Sequence, residues 1–591
     1  MTVEERKICQ NCKSQFTIEP DDFSFYEKMQ VPAPTWCPEC RMIRRFIWRN
    51  EHFLFRRSDS KTGETIFSTF HPAVQASIYD VEFWNSDGWD AMEYCRDYDF
   101  SRPFFEQFRE LLYAVPWPSR GIVNLVNSDY CANASYLKNS YLCFDGRGFE
   151  NCGYVIGGWF TKDSFDVYQT RHAEVSYEGY MMDECYRAFH CVNVEDCHDV
   201  WFSRNLIGCQ SCFGCMNLRN KNYHVFNKPY SKEAYRDFMA QFRSGSYAVV
   251  EEMKAKAYAF WMGHPMRFTL GINNVNCTGE HIEHSKNVRE SFIVHGGENL
   301  RYCQFMGGSA ADSYDYSIWG DKSSEIYESS QVGDESTQVK FSNYSFPGLR
   351  EVEFSFHCRS STNLFGCVGL KKKQYCIFNK QYSKDEYLKL REKIIAHMNE
   401  KPYTDKQGRE YRYGEFFPPE FSPFAYNETI AQDFFPLTKE EAEAKGYLWR
   451  EPETREYQTT VNAGDLPDAI EDVKDDMLQE IIKCSGCGKA YRIIEMELAF
   501  YRRIKLPLPR LCPNCRFEAR FKFVNPPKFW HSRCHCNGAT SDRRQGTREI
   551  YTNTVPHFHG DAPCPNEFET SYAPGRPEIV YCENCYKTEV T

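Results

Sequence analysis

No run of about eighteen apolar residues occurs anywhere in the 591-residue sequence, so a helical membrane span is not expected. No P-loop, dinucleotide-binding glycine motif or nucleophile elbow occurs either, and the enzyme classes built on those motifs lose their support. The opening MTVEERKICQ is charged where a secretory leader needs an apolar stretch, which points to a chain that stays inside the cell. Positive charge is also outnumbered, with 71 Lys and Arg against 82 Asp and Glu. A net charge of −11 argues against nucleic-acid binding over the whole surface. Cysteine, by contrast, is abundant, at 28 residues. In a long chain without a leader, CxxC pairs point to a reducing cytoplasm and to metal binding more than to disulfides.

Two segments carry the same pattern. CQNCKSQFTIEPDDFSFYEKMQVPAPTWCPECR begins at Cys9, and CSGCGKAYRIIEMELAFYRRIKLPLPRLCPNCR begins at Cys484, a shift of 475. Under that shift Cys9, Cys12, Cys37 and Cys40 fall on Cys484, Cys487, Cys512 and Cys515. Phe25-Tyr26 falls on Phe500-Tyr501, and Arg41 on Arg516. Two CxxC pairs supply the four soft ligands that tetrahedral zinc needs, and two intervening residues let both thiolates of a pair reach one ion. The 24 residues between pairs leave room for a β-hairpin. The basic stretches RMIRRFIWRN and RFEARFKF that follow read as helix starts, whose dipole favours thiolate. The expected module is therefore a treble clef. It resembles the bacterial probable zinc-ribbon family, whose pattern is C-x-x-C, an aromatic, FY, a proline and C-x-x-C-R. That resemblance implies zinc and a fold, and brings no activity with it.

The tail holds HSRCHCNG and HFHGDAPCPNEFETSYAPGRPEIVYCENCY. From Cys564 to Tyr586 it resembles another small bacterial zinc-ribbon type, with F-x-T-x-Y-x-P before VYC-x-x-CY. Asp561 stands where that type has its partner cysteine. Cys536 is expected to complete Cys564, Cys582 and Cys585, with Cys534 as the alternative and His557 or His559 as further options. The histidines of HFHGD otherwise read as surface residues. Three zinc ions per chain are expected, one for each set.

The middle of the chain has a period of three. Every third residue from Ile122 to Leu218, thirty-three positions, is small or apolar, while the other two frames are mixed. This fits neither a helix nor a long strand. It fits a narrow coil of short strands and corners with one residue of each triplet inward, and the spacing resembles the tight β-helix of insect antifreeze proteins. Cys209, Cys212 and Cys215 belong to this row, which favours core filling over a metal site or a disulfide. The frame returns at Gly279–Ser309, shifts at Ser317–Val332, and returns again at Leu349–Leu370. Both stretches end alike, in NLRNKNYHVFNKPYSKEAY and GLKKKQYCIFNKQYSKDEY, where Ser231 and Ser383 suit helix N-caps.

The expected fold is mainly β: two tandem narrow parallel β-solenoid domains flanked by small treble-clef or zinc-ribbon modules. The expected division is a zinc module at 1–60, an aromatic-rich connection at 61–118 lying on the first solenoid, solenoid and cap at 119–245, and solenoid and cap at 273–400. A linker with a short helix follows at 401–482, then zinc modules at 483–528 and 529–591. That order also resembles large zinc-binding proteins of uncultured bacteria, which brings no activity.

For function, the leading expectation is a non-enzymatic cytoplasmic scaffold with protein partners on the solenoid faces and no membrane contact. Residues 483–548 carry 15 Lys and Arg against 4 Asp and Glu, a local +11 that leaves −22 on the rest. Arg502, Arg503, Lys505, Arg510, Arg516 and Arg520 are the candidates to meet RNA or DNA phosphates, with Tyr491, Tyr501 and Phe529 to stack on bases. A basic face turned toward the chain's own acidic part is the alternative. An enzyme would have to use the repeated pairs Asp163/Asp166 in KDSFDVY and Asp312/Asp315 in ADSYDYS, as carbohydrate-active β-helices use outer-face carboxylates.

Overall fold

The computed structural model describes residues 4–451, 457–538 and 551–590. The structure is mainly β. Among the described residues no helix is long and apolar enough to cross a membrane. Two compact units form, each from separated segments: Met1–Arg120, Thr269–Glu451 and Pro526–Lys528 in one, Gly121–Phe268, Pro452–Asn525 and Phe529–Thr591 in the other. Each contains one large sheet.

In the unit that includes Gly121–Phe268, short strands pair in parallel as a thirteen-stranded sheet. Each residue meets the one twelve positions on: Ala132 pairs with Phe144, Phe144 with Ile156, Ile156 with Tyr168 and His198 with Gln210. The backbone explains the triplet. From Asn124 to Phe226 every third residue except Tyr130 has positive φ, and up to Asn217 each such residue directly precedes an inward one. A triplet is thus an inward residue, an outward residue and a left-handed corner, and four triplets make one twelve-residue step. Asn and Asp tolerate the left-handed region better than other side chains, and Gly148 and Gly157 take it freely. Stacked corners also bond to each other: the Asn127 amide donates to Asn139, Asn139 to Asn151 and Asn151 to Asp163, each at 3.1 Å.

The inward row is the core. All thirty-three positions are buried except Ile122, Leu125, Gly146, Gly158 and Leu218. Cys209, Cys212 and Cys215 pack in it among other cysteines, valines and leucines. Their sulfurs lie 3.4, 3.6 and 3.4 Å from the carbonyl oxygens two residues back, so each thiol has a backbone acceptor. These are core positions.

The other unit holds a fourteen-stranded sheet of the same kind. Its steps are twelve residues at Phe292–Gln304, thirteen at Ala311–Ser324 and Thr337–Arg350, and twelve again at Thr362–Gln374. The thirteen-residue steps explain the shifted frames, because each adds one residue and moves the inward row by one position. Ser336, Val339, Ser342 and Ser345 form a buried row that lies between the frames legible in the sequence.

Each sheet ends in an antiparallel strand, Lys228–Pro229 or Lys380–Gln381, and then a helix, Lys232–Gln241 or Lys384–Glu400. Ser231 and Ser383 cap these helices. The aromatic segment corrects an expectation. It belongs to the unit with the second sheet, where Phe104 rings lie 5.1 to 5.4 Å from Phe354, Phe365 and Phe378. The helix Phe104–Ala114 finds there a matching row of rings, which apolar periodicity along its own sequence could not locate.

Val194→Asp places an unpartnered carboxylate in this thin core and should cost about 3 kcal/mol or more. Gln210→Glu, at an exposed strand position, should change stability little. Thermal unfolding of the whole chain separates the two; equal losses would reject the inward row.

Candidate metal centres

Two of the metal-competent groups are the matched ones. In Cys9, Cys12, Cys37 and Cys40, and again in Cys484, Cys487, Cys512 and Cys515, all four sulfurs lie within 4.8 Å of one another. Cys12 and Cys37 sulfurs are 3.8 Å apart, and Cys487 and Cys512 sulfurs 3.7 Å. A tetrahedron with zinc–sulfur bonds of about 2.3 Å has edges of about 3.8 Å, so both sets fit zinc. Cys37 and Cys512 are the N-caps of helices Pro38–Phe46 and Pro513–Phe521, which carry Cys40 and Cys515 in their first turns. Backbone amides also point at sulfur. The Cys37 amide lies 3.3 Å from Cys9, and the Cys512 amide 3.2 Å from Cys484. Burial raises the Cys484 thiol, but amides of Cys487, Cys512 and Gly486 outweigh it and bring it down to about 7.

The spacer differs from expectation. It folds as helices Pro20–Met29 and Glu495–Ile504, and the antiparallel strands flank the first pair instead, Glu5–Ile8 with Gln15–Ile18. EPDD was the available signal, with a proline and two acids in the first helical turn.

The third group is Cys534, Cys564, Cys582 and Cys585, so Cys534 takes the place expected for Cys536. The Cys534 and Cys564 amides tie together the two segments of this site, bonding to the Asn566 and Cys536 carbonyls at 3.0 and 2.8 Å. Cys536 turns to the other side and gathers with His557, His559 and Cys585. The expectation of surface histidines fails for His557, whose side chain is fully buried.

Both matched modules dock on a sheet, and the docking is duplicated. Arg516 Nε lies 3.0 Å from Asp166 and Arg520 Nη1 2.9 Å from it, all buried. One helical turn gives the same pair elsewhere: Arg41 Nη2 is 2.8 Å and Arg45 Nη1 3.3 Å from Asp315. Arg516 also meets Glu497 at 3.1 Å, where burial raises the carboxyl and the guanidinium opposes it. Around each clamp the rings repeat: Phe500 lies 4.5 Å from Phe165, and Phe25 stacks 3.9 Å from Tyr314. Outside it, Arg503 meets Asp163 at 3.5 Å and Lys28 meets Asp312 at 3.6 Å. The four repeated carboxylates are therefore docking groups. Asp166 and Asp315 are buried under arginine and do not line an open face.

The basic set divides. Arg516 and Arg520 are consumed in the clamp, and Arg510 is buried with its guanidinium on the Leu466 and Pro467 carbonyls at 2.8 and 2.9 Å. Phosphate cannot reach them there. Arg502, Arg503 and Lys505 stay exposed, with Arg502 paired to Asp475 at 2.6 Å. Tyr491 and Tyr501 are buried, and Phe529 is half-buried. Residues 539–548 of the basic stretch lie outside the described residues.

No family model and no curated protein matches the chain. Among solved structures, one from Desulfovibrio desulfuricans G20, described as a candidate acetyltransferase, is similar at 9% identity with a TM-score of 0.11. It covers 49% of this chain and 85% of its own. So low a score carries no argument about fold or activity.

Asp166→Asn keeps a side chain that suits the left-handed corner but takes the counter-charge from Arg520 and leaves Arg516 with Glu497 alone, and should cost about 3–5 kcal/mol. Asp163→Asn, at the exposed Arg503 contact, should cost less than about 1 kcal/mol. Thermal unfolding and limited proteolysis of the two variants would check this; similar losses would mean that the clamp does not hold the module.

Proposed function

We propose that the chain is a zinc-stabilised, non-enzymatic scaffold of the cytoplasm. In this reading each sheet is the wall of a narrow parallel β-solenoid with four triplets per turn, and each treble clef is fixed to one of its faces. The solenoid faces left uncovered would receive protein partners. The observation that carries the proposal is the use made of the reactive groups. Hydrolysis of a glycoside takes two carboxyls free to flank a bond, and the repeated aspartates are instead paired with arginine or lysine. Fourteen thiols outside the metal-competent groups have backbone partners or core packing, which would suit a reducing compartment; none of the 28 cysteines is disulfide-bonded.

Contact with RNA or DNA is the second reading, and the exposure of Arg502, Arg503 and Lys505 favours it. One experiment weighs both. Full-length protein is treated with a zinc chelator, and separately titrated with single-stranded RNA over a salt series. The scaffold reading expects chelation to make the 483–528 module protease-sensitive, with no salt-dependent RNA binding. RNA binding that weakens with salt and disappears when Arg502, Arg503 and Lys505 are changed to Glu would move the function to nucleic acid. A chain that purifies without zinc and stays folded would overturn the metal-stabilised reading.

A further inference from the structure

Cys585 belongs to two donor groups at once. With Cys534, Cys564 and Cys582 it completes a four-sulfur set, and with Cys536, His557 and His559 it completes a set of two sulfurs and two imidazoles. In each set the donor atoms lie within 4.8 Å of one another. We propose that the C-terminal module holds a binuclear zinc centre in which the Cys585 thiolate bridges two ions.

The orientation of the histidines supports the second ion. His559 Nδ1 lies 2.6 Å from the Ala562 carbonyl, which can only accept, so the ring proton sits on Nδ1. The lone pair of Nε2 then faces the Cys585 sulfur at 3.3 Å. His557 is arranged in the same sense with its nitrogens exchanged. Nε2 lies 3.1 Å from the Glu589 carboxylate, and Nδ1 faces the Cys536 sulfur at 3.5 Å. A ring whose far nitrogen is held by a carbonyl or carboxylate is the usual outer support of a metal-bound histidine. A Cys585 thiol proton could fill the gap to His559, but a protonated Cys585 is then lost to the four-sulfur set. One cation on each side of the sulfur removes that conflict.

Cys536 is also prepared as an acceptor. The Asn553 amide nitrogen lies 3.3 Å from its sulfur, and the amide is oriented by the Tyr581 hydroxyl donating to Asn553 Oδ1 at 2.8 Å. Burial closes the site, since the side chains of His557 and Glu589 are fully buried and Cys585 is inaccessible. Charge points the same way. Five ionised thiols around one divalent ion leave a buried excess of three negative charges, and a second ion reduces it to one.

The proposal rests on the zinc occupancy proposed above, and the test distinguishes their failures. Full-length protein expressed with ample zinc is measured by elemental analysis and native mass spectrometry. Four zinc ions per chain are expected. His557→Ala with His559→Ala should lower the count to three, and Cys585→Ser should lower it to two. A wild-type count of three, with the matched modules intact, would overturn the binuclear centre and leave the scaffold reading standing; a count of zero would remove both. Because Cys585→Ser could unfold the module, the wild type loaded with cadmium-113 gives an independent readout. A bridging sulfur couples two cadmium resonances to each other, and four bound cadmium ions without a coupled pair would overturn the bridge.

Discussion

Everything in the two sheets follows from a left-handed corner at every third residue. A non-glycine residue there costs about 1–2 kcal/mol, and the sequence lowers that cost with Asn, Asp and Gly at many corners. The corners leave only one inward side chain per triplet and little depth beneath it. Cysteine, serine, alanine and valine predominate, with a few larger side chains such as Phe149 and Met182, and charged residues are absent from the row. The high cysteine content thus has two separate causes. Some thiols fill a thin core as small, weakly polar residues, and thirteen others are gathered in metal-competent sets. Because equivalent corners recur every twelve residues, like side chains stack, which is why an asparagine ladder runs from Asn127 to Asp163.

A face built from such corners is flat and offers a docking helix little to interlock with. The chain places an aspartate there instead. Arginines four residues apart on one helix reach a single buried carboxylate, Asp166 or Asp315, and the Arg516 guanidinium also lies 4.7 Å over the Tyr154 ring. Buried ion pairs contribute less to net stability than apolar packing of the same volume, but they punish misplacement severely. A module shifted by one corner would separate two buried guanidinium groups from the buried carboxylate they share. The clamp therefore sets register more than it adds affinity.

Much of this was written in the sequence. The zinc-competent sets of both matched modules, the inward row, the capping serines and the core role of Cys209, Cys212 and Cys215 follow from spacing alone, because each depends on neighbours within one or two turns. What spacing could not show is which distant groups meet. The Arg516–Asp166 pair joins residues far apart in the chain, and periodicity is silent on such contacts. A signal did exist. KDSFDVY and ADSYDYS repeat along with the two modules, and a carboxylate duplicated together with an arginine is a candidate for its partner. Likewise the left-handed corners were visible as Asn, Asp and Gly in the frame just before the inward one. The choice between Cys534 and Cys536 was not legible, since the two stand two residues apart just beyond the strand Trp530–Arg533 and spacing gives both the same reach.

The metal sites and the clamps share a helix. Cys40 and Arg41 are adjacent, as are Cys515 and Arg516, and Arg45 and Arg520 follow one turn later. A metal ion bound by those cysteines would hold the first turn of such a helix and so also fix the direction from which its arginines approach the sheet. Without the ion, the small module has little other core to hold that turn, and the guanidinium groups would have to find Asp166 or Asp315 from a mobile segment at a large entropic cost. Desolvating those charges is worthwhile only when their positions are set in advance. Metal binding and docking would in that sense be one event, which ties the seating of the 483–528 module on its sheet to the metal state of the chain.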